Sequence, residues 1–280
     1  MVSSLEDIVV GLNRFADHFA PYIDRFVIIG GTACKIILDE NAVTARTTKD
    51  LDIVLCLDTT ETVDEDFAAA ILNFIEDGGY KARTRATGEQ EYYRFETPSK
   101  EGYPMMLEFF SRRPNSLPLT DEQIKCRLVV ESDLLSLSAI LLDEEYYSAL
   151  LANKTLMRGL PILNEDLLIP FKAKAHVDLE HKRANGDPTA KQRDINKHRG
   201  DIIRLLALIP PNRRVTLSEP IKRDVGLFTN KLWQEQFPVQ DILGGLELEA
   251  VVKTLEAMYQ FDRNDYQYEE KTKNIAKPIN

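Results

Sequence analysis

Two short apolar runs, each joined to a marked pattern, constrain this chain most. Phe26-Val27-Ile28-Ile29 is β-branched and aromatic and stops at Gly30-Gly31-Thr32-Ala33. Nineteen residues after Gly31, Asp50-Leu51-Asp52 opens a second run that reaches Leu57. Such runs read as strands. The stretch from the glycine pair to about Leu38 reads as a helix. Strand, helix and strand in this order point to a mixed α/β layer architecture. Upstream, Ser3 and Glu6 form a capping-box pattern, and Leu5, Ile8, Leu12, Phe15, Ala16 and Phe19 follow at helical spacing, which predicts one amphipathic helix. Downstream, Phe67–Ile75 predicts a helix closed by Gly78-Gly79. Glu91–Thr97 alternates weakly, and Met105–Phe110 is a strong apolar strand.

Arg112–Thr120 carries two prolines and reads as a connection; Ser136–Leu142 reads as one more strand. Beyond Glu144 helix patterns dominate, over Leu151–Met157, Leu167–Leu179, Ile195–Leu208, Ile221–Trp233 and Leu246–Phe261. The expectation is an α+β protein: a mixed α/β domain over 1–130, a mainly helical domain over 131–262, and a polar tail over 263–280.

A net charge of −10 argues against a protein that coats nucleic acid by bulk charge. Three cysteines, Cys34, Cys56 and Cys126, lie far apart and outside any Cys-x-x-Cys or Cys/His cluster, so neither a disulfide framework nor a structural zinc site is expected. The first residues lack a basic region followed by an apolar one, so no signal peptide is expected. No apolar run approaches the roughly 20 residues that span a bilayer. A cytoplasmic setting without membrane contact is the expectation. Neither Gly-x-Ser-x-Gly nor a P-loop pattern occurs.

Asp50 and Asp52 stand two apart on a predicted strand, so both leave the same face, roughly 7 Å apart at their bases. Like charges that close repel unless a cation compensates them. Such hard oxygen donors suit Mg²⁺ or Mn²⁺. Glu108, inside Met105-Met106-Leu107-Glu108-Phe109-Phe110, is the natural third member, because a lone carboxylate in an apolar run needs a partner. Each feature alone also has a plainer reading: Asp-x-Asp as turn chemistry, Glu108 at a strand edge. The order of strand, Gly-Gly, helix and acid pair favours the functional one, since glycines at a helix start let backbone amides approach phosphate.

Taken together, Val27–Val54 resembles the nucleotidyltransferase superfamily signature. The form Arg46-x-Thr48-Lys49-Asp50-Leu51-Asp52 resembles the AbiEii type, which includes the MenT toxins of bacterial toxin–antitoxin and phage-defence systems. The resemblance implies a DNA-polymerase-β-like palm, two Mg²⁺ ions, and transfer of a nucleoside monophosphate from an NTP with release of pyrophosphate. By the match, Gly30, Gly31 and Thr32 form the phosphate-binding turn, with Lys49 beside it, and Asp50, Asp52 and Glu108 hold the metal. The helical-domain pattern of the family is matched by Leu168-Ile169-Pro170-Phe171-Lys172 and by Lys197-His198-Arg199-Gly200-Asp201-Ile202, where His198 replaces a frequent second Asp. The resemblance spans about residues 5–207.

Leu168, Phe171, Ala175 and Leu179 make an apolar helix stripe with Lys172 at its margin, whereas Lys174 is placed for an i,i+4 pair with Asp178. Lys172 is therefore the expected phosphate ligand. Asp201 is expected to position Lys172 or an acceptor, the alternative being a surface pair with Lys197 or Arg204; Asp194 is a further candidate. Between Phe171 and Arg204 the chain carries a local charge of +4 and three of its four histidines. That segment is either a solvated helix pair or a patch for triphosphate and RNA. The expected function is NMP transfer to an acceptor, by the resemblance the 3′ end of tRNA, in the toxin of a toxin–antitoxin or abortive-infection pair with an antitoxin partner. The competing readings are an aminoglycoside-like small-molecule acceptor, a non-catalytic nucleotide- or partner-binding relative, and a metal-dependent glycosyltransferase.

Overall fold

A computed structural model describes residues 4–56, 65–84, 92–111 and 143–267. Arg112–Thr120, the strand expected at Ser136–Leu142, Cys126 and the end of the tail lie outside the described residues. The protein is mixed α+β around one seven-stranded sheet. The strands are β1 (Phe26–Ile28), β2 (Asp50–Leu55), β3 (Lys81–Thr84), β4 (Tyr92–Glu96), β5 (Met106–Phe110), β6 (Lys154–Met157) and β7 (Leu160–Leu163), in the spatial order β3-β4-β5-β2-β1-β7-β6. β2 pairs parallel with β5, and β1 pairs parallel with β7; the remaining neighbours are antiparallel. β1 and β7 are buried along their whole length, as continuous apolar runs covered on both faces should be.

The N-terminal helix is broken in two, α1 (Leu5–Ile8) and α2 (Leu12–Phe19). The capping box is Ser4 with Asp7, not Ser3 with Glu6: Asp7 N–H donates to Ser4 Oγ, and Ser4 N–H to Asp7 Oδ2. Gly11 makes the break, at φ +80°. A Cβ there would stand 2.5 Å from Tyr103 C and Pro104 N, so only glycine lets the Tyr103–Pro104 backbone approach. Phe15 and Phe19 of α2 then pack on Phe26 of β1 and Phe74 of α4 (Glu65–Gly78), on the sheet face opposite Asp52.

The helix expected over Leu151–Met157 is not there. Instead α5 (Glu144–Ala152) ends and β6 begins. β6 and β7 form a hairpin whose two-residue turn, Arg158-Gly159, has both φ angles positive, the geometry of a type I′ turn. Arg158 is held there by Asp39 at 2.8 Å and Glu40 at 2.7 Å, both in α3 (Gly30–Glu40).

The remaining helices are α6 (Glu165–Ala184), α7 (Gln192–Leu206), α8 (Glu219–Gln234) and α9 (Leu248–Tyr259). Pro170 lies inside α6 and cannot donate to the Asp166 carbonyl. The buried Tyr259 hydroxyl of α9 supplies that bond at 2.9 Å. This keeps α6 continuous through Lys172. The first residues of the expected polar tail, Arg263–Tyr266, pack on the helices. Arg263 bonds Glu256 at 2.7 Å and lies over the Trp233 ring, and the Tyr266 ring packs on Gly226. The main apolar core runs from Ile8 to Tyr259, and Leu179, Ala190 and Ile195 form a second small cluster. No helix among the described residues is long and apolar enough to cross a membrane.

Candidate active site

β2 and β5 pair so that Asp52 stands opposite Glu108, and β4 pairs with β5 so that Arg94 stands opposite Glu108. Residues directly opposite share a face. Asp52, Glu108 and Arg94 therefore form a row across three strands, with Asp50 one step along on the same face. Arg94 Nη2 and Nε both donate to Glu108 Oε1, at 2.6 and 2.7 Å. Both residues are buried.

This row floors a cavity of about 160 Å³ whose walls come from α6, α7, the glycine pair and the segment before β2. A water needs only about 10–15 Å³ of such water-accessible space, so the cavity has room for several waters or for an anion of at least phosphate size. Five cations line it (Arg46, Arg94, Lys172, Arg193 and Lys197) against four carboxylates (Asp50, Asp52, Glu108 and Asp194), with Leu168, Phe171 and Ala175 as an apolar flank. Burial, followed by the Asp52 charge, raises the Asp50 carboxyl above its ordinary value, while Lys197, Arg94 and Arg46 pull it back.

The glycine pair has a steric role. Gly30 opens α3 at φ +66°, and a methyl group there would overlap the Asp52 carboxylate. A Cβ on Gly31 would stand 2.7 Å from Arg46 Nη2 and 2.9 Å from Thr48 Oγ1. The glycines thus make room for the acid pair and for the segment before it.

Lys172 is buried, lines the cavity, and donates from Nζ to Asp201 Oδ2 at 2.7 Å. Arg46 Nε reaches both Asp201 oxygens at 3.2 Å. Burial would raise the Asp201 carboxyl, but the Lys172 and Arg46 charges outweigh it and hold it below its usual range. At 1% exposure Asp201 makes no surface pair; it stands behind Lys172, outside the cavity lining. Lys174 pairs with Asp178 at 2.9 Å.

Two expected site residues lie elsewhere. Thr32 is fully buried, and its hydroxyl donates to the Asp50 carbonyl at 2.7 Å, so it braces β2 instead of lining the cavity. Lys49 is exposed and also off the lining. Cys34 is buried, and burial pushes its thiol up to about 12, as for an inert core cysteine. His198 lines the cavity, whereas His176 is buried against Phe228 and burial pushes it down to about 3.

Sequence reasoning missed Arg94. Its signal was a cation in a weakly alternating strand, in register with the one carboxylate of an apolar strand. Arg46 and Thr48 entered only through the resemblance. Among the described residues, no group of three His, Cys, Asp or Glu side chains is gathered as a metal site. Glu108 is held by Arg94, which leaves Asp50 and Asp52 as the adjacent oxygen donors. No family model matches this chain, and no curated protein matches it.

Proposed function

We propose that this protein is a metal-dependent nucleotidyltransferase that moves a nucleoside monophosphate from an NTP to the 3′ end of tRNA, as the toxin of a toxin–antitoxin or abortive-infection pair. The observation that carries the reading is the acid row Asp50, Asp52 and Glu108 facing a wall of cations across a cavity of phosphate dimensions. The nucleotidyltransferase palm, the RNA acceptor and the antitoxin partner rest on the sequence resemblance.

The donor chemistry fits Mg²⁺ or Mn²⁺ at Asp50 and Asp52, two crowded carboxylates that need a counter-charge. A divalent ion held by Asp50 and Asp52 would supply charge neutralisation and Lewis acidity towards the phosphates. The other parts belong to the chain. Lys172, fixed by Asp201, presents an ammonium to the phosphates without reorganising, which is where preorganised charge is worth most. Arg193 and Lys197 of α7 extend that cationic wall towards solvent. Leu168, Phe171 and Ala175 offer an apolar surface for a sugar or base and help to exclude water.

The test incubates the protein with Mg²⁺, each labelled NTP in turn and total cellular RNA. The expected result is label on RNA with a preferred NTP, lost in Asp50→Asn. Lys191 is exposed beside α7 and off the cavity lining. Lys191→Glu is therefore expected to weaken RNA use, with a shallower salt dependence, while NTP binding holds. Label on a small molecule only would indicate the aminoglycoside-like acceptor, and full activity in Asp50→Asn would refute the reading.

A further inference from the structure

Three carboxylates on one sheet face, in a half-closed cavity, cannot stay ionised together without compensation. In the structure the compensating cation is part of the chain. Arg94 reaches Glu108 from the neighbouring strand through two donors to one oxygen, at 2.6 and 2.7 Å. Glu108 is in turn the strand partner of Asp52. The guanidinium thus ends the row in which a third metal ligand would be counted. A carboxylate oxygen accepting two charge-assisted hydrogen bonds is a poor donor to a second cation until one is given up.

We infer that Arg94 is a built-in counter-cation that occupies Glu108 Oε1 and neutralises its charge in the metal-free protein, so that a divalent ion gains the full carboxylate of Glu108 as a ligand only when Arg94 is displaced. The inference deepens the proposed function and rests on its metal site at Asp50 and Asp52. Metal alone then meets two carboxylates. A triphosphate, which offers Arg94 an alternative anionic partner, opens access to the third, so metal and NTP bind with positive coupling.

The experiment measures Mn²⁺ binding to the nucleotide-free protein by electron paramagnetic resonance of free Mn²⁺. Arg94→Met is expected to tighten binding by about 10-fold or more, whereas Glu108→Gln in the otherwise native chain changes it by less than about two-fold. In the Arg94→Met background, Glu108→Gln is expected to abolish the gain. Lys197→Met controls for simple loss of positive charge, because Lys197 also lines the cavity and acts on Asp50; it should tighten binding far less. A gain that survives Glu108→Gln, or that Lys197→Met reproduces, would overturn the inference, since Arg94 would then act only through its field. Should Arg94→Met not fold, Arg94→Lys decides. It keeps the charge but loses the two-donor grip, so several-fold tightening supports the inference and unchanged binding overturns it. Asp50→Asn separates the two levels: if it binds Mn²⁺ as the native chain does, the metal site fails, and with it the inference.

Discussion

Replacing Asp201 by Asn removes the carboxylate that holds Lys172 and Arg46. Lys172 and Asp201 are 3% and 1% exposed at their side chains and 2.7 Å apart, whereas the Arg46 side chain is 27% exposed. Breaking a buried pair by removing one partner costs about 3–5 kcal/mol, because the other charge is stranded. The two halves should not cost the same. Asp201→Asn leaves the buried Lys172 ammonium without its carboxylate and beside a guanidinium, so about 3–5 kcal/mol is expected. Lys172→Met leaves Asp201 with Arg46 as a second cation, so about 2–3 kcal/mol is expected. Lys172→Met with Asp201→Leu leaves no buried charge except a guanidinium that can turn outward. The double variant should be more stable than Asp201→Asn alone, a coupling of about 2 kcal/mol or more. Urea unfolding at neutral pH, followed by the single tryptophan, Trp233, reads all three. The pH dependence has a defined sign. The folded carboxyl lies below its usual value, so its contribution is complete above the unfolded carboxylate pKa and fades as the pH falls through the folded one. The gap between native and Asp201→Asn proteins should therefore narrow in acid. All three variants should lose transfer, and the stability pattern reads how deeply the pair is buried. Asp201→Asn milder than Lys172→Met, or a double variant less stable than Asp201→Asn, would refute the reasoning.

Other expectations are as specific. Gly30→Ala must accommodate φ +66° and push the Asp52 carboxylate aside; a stability loss of about 1–2 kcal/mol and loss of Mn²⁺ binding are expected, by denaturation and titration. Tyr259→Phe leaves the Asp166 carbonyl without its 2.9 Å donor and should cost about 1–3 kcal/mol. Pro170→Ala restores the helical N–H to that carbonyl, so the double variant should recover most of the loss in the same assay. His176 takes a proton near 6.5 when unfolded and only near about 3 when folded. From this group stability should fall by about 1.4 kcal/mol for each unit that the pH drops between those values, and His176→Leu should remove that slope in a pH series of unfolding midpoints.

The parts of the site that are local to one element were legible in the chain. The two-residue period of a strand puts Asp50 and Asp52 on one face whatever they pack against. The helical stripe through Leu168, Phe171 and Ala175 separates Lys172 from Lys174 in the same way, and the structure has Lys174 on Asp178. The glycine pair was legible as a constraint, although its reason was not: Gly30 clears Asp52, and Gly31 clears Arg46 and Thr48, contacts made only once α3 folds back over β2. Leu151–Met157 failed for a related reason. A short apolar run has no period long enough to separate helix from strand, and what decided it was the Arg158-Gly159 turn, held by Asp39 and Glu40 from a distant helix. Strand register and helix docking were decided by tertiary structure alone. Nothing local to Arg94 says that it faces Glu108, and nothing local to Asp201 says that it is buried under Lys172 and Arg46. Periodicity is set by backbone geometry and acts over a few residues. Pairing between distant charges is set by which apolar faces bury each other, and that is resolved only when the whole core closes.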